Sequence, residues 1–248
     1  MEKHVYVLGI RIDNLRKKDL CACFLNMLKS DTVNTVFTPN PEILEHAASD
    51  GEFAKILNSA DLSLPDGVGI LLASKLLGTP VYERIPGIDA GSALLCLAQK
   101  KREKVFFLGA APGVAEKAEC ELKKKYKDLI VTGRNHGYFS SIENDSILQK
   151  INDSGASILF VCLGSPKQEK WIYENKERLK NVRIAIALGV SLDVYSKNVK
   201  RAPDYMQKAG LEWLWRIVFL RGRSKRAGKL PGFCFRVLKE TFVHNIEK

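Results

Sequence analysis

Short apolar runs alternate along the chain with segments in which apolar residues recur every three or four positions. The apolar runs predict β-strands over residues 5–8, 35–38, 62–64, 105–108, 159–163 and 184–188. The clearest of the periodic segments predict helices over residues 41–57, 88–100, 112–126 and 167–179. Strands that alternate with helices indicate an α/β fold, in which a mostly parallel sheet is covered by helices on both faces.

The regular alternation ends near residue 200, where an amphipathic segment begins. Its apolar residues recur at helical spacing: Leu211, Leu214, Trp215, Val218 and Phe219. Such a stripe is typical either of a helix packed on its own domain or of a helix that lies at a membrane surface. We therefore predict an α/β core over residues 1–200 and a helical appendage over residues 201–248.

Most of the charge of this 248-residue chain lies in the appendage. Residues 213–248 contain nine Lys and Arg, among them Arg221 and Arg223, against two Glu, which gives a net +7 of the formal +11. A basic run beside an apolar stripe favours an anionic bilayer surface. The longest apolar runs fall far short of the ~20 residues that span a bilayer, so a peripheral association is expected. Self-association into a homo-oligomer is the other way to bury the stripe.

The N-terminus and the cysteines indicate a cytoplasmic protein. The first residues enter a strand-like run without the apolar core and cleavage site of a signal peptide. Six scattered cysteines show no metal-site spacing, so we expect reduced thiols and no metal. A nucleic-acid-binding protein that uses the basic tail is the alternative from another class. The aromatic residues of the tail lie on the apolar stripe rather than on an exposed stacking platform, which disfavours that alternative.

Small or turn-forming residues follow five of the predicted strands. These turns occupy residues 38–41, 65–67, 109–113, 164–166 and 189–191. Ligands of open parallel sheets bind outside the carboxyl ends of the strands. Glycines such as Gly109 and the N-termini of helices present backbone N–H groups to phosphate there. The turns therefore indicate a phosphorylated or nucleotide ligand.

Two common nucleotide motifs are absent from the sequence. The turn at 109–113 has neither the glycine spacing of a dinucleotide fold nor the Lys of a P-loop, which disfavours a nicotinamide dehydrogenase and a P-loop NTPase. The chain also has no AspXaaAsp motif to clamp a pyrophosphate through a metal ion. Backbone N–H groups and cationic side chains would have to offset the phosphate charge.

Individual polar residues at the strand ends have two interpretations each. Asp66, between Pro and Gly, is either a carboxylate facing the ligand crevice or an N-cap for a helix that begins near Val68. Arg84 precedes an IleProGly turn and is either a surface residue or a bidentate donor to phosphate. Glu169, at the start of a helix, is explained by the helix dipole, whereas Gln168 gains nothing from that position.

A set of motifs along the chain resembles the bacterial WecG/TagA/CpsF family of glycosyltransferases over nearly its whole length. The motifs occur in the family's order: ThrProAsnProGluIleLeu (38–44), LeuProAspGlyValGly (64–69), ArgIleProGlyIleAsp (84–89), PheLeuGlyAlaAlaProGlyVal (107–114), GlyTyrPhe (137–139), GlySerProLysGlnGluLysTrpIle (164–172), ValLysArgAlaPro (199–203) and LeuGluTrpLeuTrpArg (211–216).

The resemblance implies a Rossmann-like core and an inverting transfer from a UDP-sugar, without metal or other cofactor. The implied acceptor is an undecaprenyl-diphosphate-linked sugar at the cytoplasmic membrane face. Well-known members transfer N-acetylmannosamine from its UDP derivative to N-acetylglucosaminyl-diphospho-undecaprenol for wall teichoic acid. A transferase that uses another UDP-hexose for capsule or exopolysaccharide is the alternative within the class.

The resemblance also assigns roles to single residues. The family's base falls on Asp66, and its pocket residues fall on Thr38, Asn40, Arg84 and Gln168. Tyr138 and Asp193 fall near the nucleotide. In this family the basic appendage covers the site, so Arg221 and Arg223 are expected to meet the leaving group or the lipid diphosphate.

One loop departs from the family pattern. Where members usually read GlyValGlyGly, then any two residues and then Asp, this chain reads GlyValSerLeuAsp. The loop is two residues shorter, and Lys197 stands where Gly is common. The missing glycines remove backbone N–H groups from a predicted nucleotide loop, which bears on the role of Asp193 and on the identity of the donor sugar.

Overall fold

A computed structural model of the chain describes residues 3–219 and 230–246. The described residues divide into two compact units. The first unit comprises the described residues within Met1–Lys17, Thr38–Pro86 and Arg201–Lys248. The second unit comprises Lys18–Phe37 and Gly87–Lys200. The chain passes from the second unit to the first at residue 200, where the appendage was predicted to begin. That residues 201–248 act as a separate appendage stays a prediction.

Strands and helices alternate along most of the described chain. The strands are β1 (His4–Val7), β2 (Ile10–Asp13), β3 (Asn34–Phe37), β4 (Leu62–Ser63), β5 (Lys104–Gly109), β6 (Ile130–Asn135), β7 (Ile158–Cys162) and β8 (Ile184–Ala187). The helices of the first half are α1 (Leu20–Leu28), α2 (Pro41–Ala47), α3 (Gly51–Asn58), α4 (Val68–Leu76), α5 (Gly87–Lys101) and α6 (Val114–Lys125). Those of the second half are α7 (Asn144–Asp153), α8 (Lys167–Asn175), α9 (Ser191–Tyr195), α10 (Asp204–Lys208), α11 (Glu212–Phe219) and α12 (Leu230–Ile246).

The second unit is built on a parallel sheet. Its strands are hydrogen-bonded in the order β3–β8–β7–β5–β6, and each pair is parallel. Every residue of β7 and β8 is buried, so helices cover both faces of the sheet there. This arrangement confirms the predicted α/β, Rossmann-like class.

The first predicted strand pairs differently from the expectation. β1 does not join the parallel sheet but forms an antiparallel hairpin with β2, in which Val5 lies opposite Ile12. Leu8 and Gly9 connect the two strands, both with positive φ. A two-residue turn of this kind matches the twist of paired strands and favours the hairpin.

The helix predicted over residues 41–57 is divided in two. α2 ends at Ala47, and α3 begins at Gly51 after a new N-cap, in which the Asp50 carboxylate accepts a hydrogen bond from the Phe53 N–H at 3.0 Å. Asp is among the strongest N-cap residues, and an Asp in the middle of a helical pattern can start a second helix. The other three predicted helices are observed as α5, α6 and α8.

Helix α12 packs on the first unit with one face and exposes the other. Phe233 and Val237 are buried, and the helix contacts α2 and α4. Arg236 of α12 pairs with Glu45 of α2 at 3.1 Å. The opposite face presents Phe235, Leu238 and Phe242, which are 70%, 49% and 70% exposed. The C-terminal segment therefore has a second apolar face that the packing does not use.

The stripe predicted over residues 211–219 lies on α11 and the residue before it. Leu211, Trp213 and Leu214 are partly exposed there. The side chains of Val218 and Phe219 fall outside the described residues. Over the described ranges, no helix has both the length and the apolar character needed to cross a membrane.

Candidate functional site

Three motif-bearing segments of the first unit are tied together by backbone hydrogen bonds. The N–H of Asp66 donates to the carbonyl of Pro39 at 3.1 Å. The N–H of Ile85 donates to the carbonyl of Pro65 at 2.8 Å. The structure thus brings the turn after β3, the turn after β4 and the segment that carries Arg84 next to one another.

Asp66 is not the N-cap of the helix that follows it. That position is taken by Gly67. The helix lies close to the preceding motif, because a Cβ on Gly69 would come within 2.5 Å of the Pro41 ring. A glycine is required for this approach, which holds the half-buried Asp66 beside the 38–41 turn.

Asn40 and Thr38 belong to the same cluster. The Asn40 side chain caps α2, since its Oδ1 accepts a hydrogen bond from the Ile43 N–H at 3.0 Å. Thr38 is buried directly after β3. The cap fixes the Asn40 side chain in place, and the predicted contacts of both residues with substrate stay predictions.

Arg84 is held by the segment that precedes α11. Its guanidinium donates to the backbone carbonyl of Gln207 in α10. The side chain of Gln207 in turn donates to the carbonyl of Ala202 at 2.6 Å, which lies in the ValLysArgAlaPro motif. Two motifs far apart in the sequence therefore meet at Arg84, and a fixed guanidinium suits recognition of phosphate.

The second unit has an open cavity of about 700 Å³ at the carboxyl ends of its strands. Of the predicted residues it includes Tyr138 and Asp193. The full lining is Ala110, Ala111, Gly137, Tyr138, Phe139, Ser140, Cys162, Leu163, Lys167 and Asp193. A volume of several hundred Å³ is usual for a pocket that holds a small molecule or cofactor.

The cavity lies at the switch point of the sheet. The chain leaves β5 towards β6 on one side and leaves β7 towards β8 on the other, although β5 and β7 are neighbours. Crevices form where successive connections diverge in this way, and ligands of open α/β sheets bind there. The position of the cavity therefore matches the ligand site expected from the strand-end turns.

Gly109 is required where β5 ends. A Cβ at this position would come within 2.3 Å of the Cys162 carbonyl oxygen. The next residue, Ala110, has φ of +59° and bonds through its N–H to the same carbonyl at 3.1 Å. A non-glycine residue in the left-handed region at a cavity wall is the kind of local strain that functional sites retain.

Lys167 supplies positive charge to the cavity, although it was not among the site residues predicted from the sequence. Its Nζ lies 4.6 Å from the centre of the Phe139 ring and donates to the Gly137 carbonyl at 3.1 Å. Tyr138, between those two residues, is 74% exposed. A cation beside an exposed aromatic ring suits a ligand with a phosphate and a flat base. The sequence feature that could have identified Lys167 is its place at the first position of a helix, directly after a strand-end turn.

Cys162 lines the cavity but is not a nucleophile. Burial, together with the nearby carboxylate of Asp193, raises the pKa of its thiol to about 12. Because the thiolate is the reactive form, this cysteine is inert near neutral pH.

Gln168 and Glu169 lie beneath the cavity rather than on its surface. They are 3% and 1% exposed. The Gln168 carbonyl oxygen accepts hydrogen bonds from the N–H groups of Gly164 and Gly189 at 3.2 and 2.8 Å. This glutamine thus links the loops after β7 and β8, and its predicted contact with substrate stays a prediction.

The loop that departs from the family pattern contains a non-glycine residue with positive φ. Lys197 has φ of +61°, in the region that favours glycine. Its Nζ pairs with Glu121 at 2.5 Å. The backbone at Lys197 therefore has a conformation that glycine adopts easily and other residues adopt rarely.

The remaining predicted residues, Arg221 and Arg223, lie outside the described residues. Within the described ranges, no group of three or more His, Cys, Asp or Glu side chains is placed to hold a metal ion.

The chain is similar to known proteins over nearly its whole length. The sequence profile described as "Glycosyl transferase WecG/TagA/CpsF family" matches residues 5–246. A protein of Bacillus spizizenii (strain W23) is 36% identical over 204 residues, which are 82% of this chain and 78% of that protein. A protein of Bacillus subtilis (strain 168) is 35% identical over 205 residues, which are 83% of this chain and 79% of that protein. A Staphylococcus aureus protein (strain MRSA252) is 30% identical over 237 residues, 95% of this chain and 92% of its own.

All three relatives carry the name N-acetylglucosaminyldiphosphoundecaprenol N-acetyl-beta-D-mannosaminyltransferase. The family match extends across both compact units and includes every motif on which the resemblance was based. The chain belongs to the WecG/TagA/CpsF family of glycosyltransferases.

Proposed function

We propose that this enzyme transfers N-acetylmannosamine from UDP-N-acetylmannosamine to the 4-hydroxyl of N-acetylglucosaminyl-diphospho-undecaprenol, a step of wall teichoic acid linkage-unit synthesis. The observation that carries the proposal is the match to relatives named for this transfer over 78–92% of their length. The clustering of the motif segments around Asp66 supports it.

In the proposed reaction Asp66 is the general base. Its carboxylate accepts the proton of the acceptor hydroxyl as that oxygen forms a bond to C1 of the donor sugar. The bond from C1 to the UDP oxygen breaks on the opposite side, so the configuration at C1 inverts. The position of Asp66 beside the 38–41 turn, fixed by the hydrogen bond from its N–H to the Pro39 carbonyl, supports this assignment.

The cavity of the second unit is the proposed nucleotide site. The exposed ring of Tyr138 offers a stacking surface for uracil, and the half-buried Asp193 offers a carboxylate to ribose or base N–H and O–H donors. Lys167 and the N–H groups after β5 and β7 meet the negative charge of the diphosphate. Arg84 is the second proposed cation for the leaving group.

The proposed location is the inner face of the cytoplasmic membrane, where a lipid-linked acceptor would lie. The exposed face of α12 and the basic run before it support a peripheral association. In this proposal Arg221 and Arg223 contact the lipid diphosphate.

A comparison of donors tests the function. The purified enzyme is given vesicles with N-acetylglucosaminyl-diphospho-undecaprenol and one UDP-sugar at a time, including the N-acetylmannosamine, N-acetylglucosamine and glucose derivatives. We expect kcat/KM for UDP-N-acetylmannosamine to exceed that for the others by at least about 100-fold, because differential hydrogen bonding to sugar hydroxyls discriminates strongly. Preference for another hexose would support the capsule or exopolysaccharide alternative and contradict the proposal.

Activity should also survive chelation. The sequence has no AspXaaAsp motif, so protein groups are expected to offset the phosphate charge. The initial rate with excess EDTA should stay within about twofold of the untreated rate. If EDTA abolishes turnover and magnesium or manganese restores it, the transfer depends on a metal.

A further inference from the structure

Two adjacent polar residues at the start of α8 are buried almost completely. Gln168 is 3% exposed and Glu169 is 1% exposed. Side chains of this kind are rarely buried unless they are paired, and pairing in the interior restricts them to one arrangement. The sequence interpretation of Glu169 as a residue that serves the helix dipole does not explain its burial.

The Gln168 amide joins two loops through a single oxygen. That oxygen accepts hydrogen bonds from Gly164, which follows β7, and from Gly189, which follows β8. The backbone N–H of Gln168 also returns a hydrogen bond to the Gly164 carbonyl at 3.0 Å. Both loops adjoin cavity residues, since Leu163 directly precedes Gly164 and Asp193 lies in α9, the helix that follows the loop of Gly189.

Glu169 helps to fix which way the Gln168 amide faces. The Nε2 of Gln168 donates to the Oε1 of Glu169 at 2.8 Å. If the amide turned over, its NH₂ group would face the N–H groups of Gly164 and Gly189, and its oxygen would face the acceptor on Glu169. The two glycine N–H groups and the Glu169 acceptor therefore favour the same orientation, and Glu169 holds the Nε2 end of the amide in place.

The carboxyl of Glu169 acts here as a hydrogen-bond acceptor for Gln168. Burial raises its pKa, whereas hydrogen bonds from the Gln168 side chain, from its own backbone N–H and from the Ser165 side chain lower it. A Gln side chain at this position would offer the same kind of acceptor oxygen without the charge.

We propose that Glu169 is a positioning residue for the nucleotide: by holding the Gln168 amide in one orientation, it keeps the loops after β7 and β8 at the spacing that the cavity requires. The identity of the ligand as a UDP-sugar rests on the proposed function, whereas the linkage of the two loops does not.

The test compares substitutions that keep or remove the acceptor. Glu169→Gln keeps a neutral acceptor, whereas Glu169→Leu removes it at similar volume. In the Leu variant we expect the Kd for UDP and the KM for the UDP-sugar to rise about tenfold, the usual effect of one hydrogen bond, with kcat at saturating donor within about threefold. The Gln variant should stay within about twofold of the wild type in all three values. The control is Glu174→Leu, the same change at an exposed position of α8.

A ligand-free measurement separates this inference from the proposed function. Hydrogen exchange of the Gly164 and Gly189 amides should be at least about tenfold faster in Glu169→Leu, and unchanged in Glu169→Gln and Glu174→Leu. Glu169→Met, whose side chain adapts to irregular space, replaces the Leu variant if that one does not fold.

Each outcome has a defined meaning. Unchanged exchange and UDP affinity in the variant without an acceptor would overturn the inference. A Gln variant as weak as the Leu variant would also overturn it, because charge rather than acceptor geometry would then matter. If wild-type enzyme neither binds UDP nor transfers sugar while exchange changes as expected, the proposed function fails and the linkage of the loops stands.

Discussion

Asp66→Asn should lower kcat for sugar transfer by about 10²–10⁴-fold, which is the usual contribution of a positioned general base. Asn keeps the size of the side chain but cannot accept the proton of the acceptor hydroxyl. The Kd for UDP should not change by more than about twofold, because Asp66 is not among the residues assigned to the nucleotide. Turnover at saturating donor and UDP binding by calorimetry give the two values.

The same substitution distinguishes catalysis from helix capping. Asn caps helices about as well as Asp, so a capping residue would tolerate the change without loss of stability or turnover. Asp50→Asn is the matched control, since Asp50 does cap α3 through its carboxylate. Both variants should melt within a few degrees of the wild type, while Asp66→Asn alone loses turnover. Near-normal turnover in Asp66→Asn would remove Asp66 from the reaction.

The buried part of the parallel sheet could be predicted from the sequence, because its strands are short apolar runs. β5, β7 and β8 lie where those runs predicted strands. β6 was missed, since its residues are only partly buried at the edge of the sheet and its apolar run, residues 129–131, is short. β2 was missed for a similar reason, because Arg11 and Asp13 interrupt its apolar residues. Apolar patterns in a sequence indicate which segments are buried. Edge and hairpin strands bury only part of their surface, so their sequences show a weak apolar pattern.

Less of the candidate site could be predicted, because it depends on contacts between distant segments. The turns after the strands were visible in the sequence, but the order of the strands was not. The cavity exists because β5 and β7 are neighbours, and long-range pairing decides that. The burial of Glu169 was equally hidden, since a Glu at the start of a helix is normally solvated and its role is normally electrostatic.

The apolar face of α12 was also missing from the sequence prediction. The predicted stripe lay on residues 211–219, whereas the structure shows Phe235, Leu238 and Phe242 exposed together on the later helix. Phe233 and Val237, on the opposite side, are buried. A helix with apolar residues on two faces has a weak amphipathic pattern, so its sequence did not distinguish the packed face from the exposed one.

Replacing Phe235, Leu238 and Phe242 together with Gln should reduce binding to anionic vesicles by about 100-fold. Each large apolar side chain contributes ~1 kcal/mol or more when an interface removes it from water, and three such contributions give a factor of this size. Because these side chains are exposed and the packed face is unchanged, the fold should persist. Deleting the C-terminal segment would be less informative, since it would also expose the surface that Phe233 and Val237 cover.

The activity of this triple variant should depend on where the acceptor is. With lipid-linked acceptor in vesicles we expect turnover to fall at least about tenfold, because the enzyme spends less time at the bilayer. With a short-chain, water-soluble acceptor the rate should stay within about twofold of the wild type. The residual vesicle binding should be abolished by high salt, since the basic run of the tail is unchanged and its attraction to anionic lipid is screened.

The control and the competing explanation use the same vesicle assay. Ile142→Gln combined with Tyr173→Gln removes two exposed apolar side chains from the second unit and should leave vesicle binding unchanged. A second copy of the chain is the alternative occupant of the α12 face, and sedimentation equilibrium distinguishes it. If the wild type is a dimer, and the triple variant is a monomer that binds vesicles as well as the wild type, then the α12 face joins two protomers. In that case the basic run alone would have to hold the enzyme at the membrane.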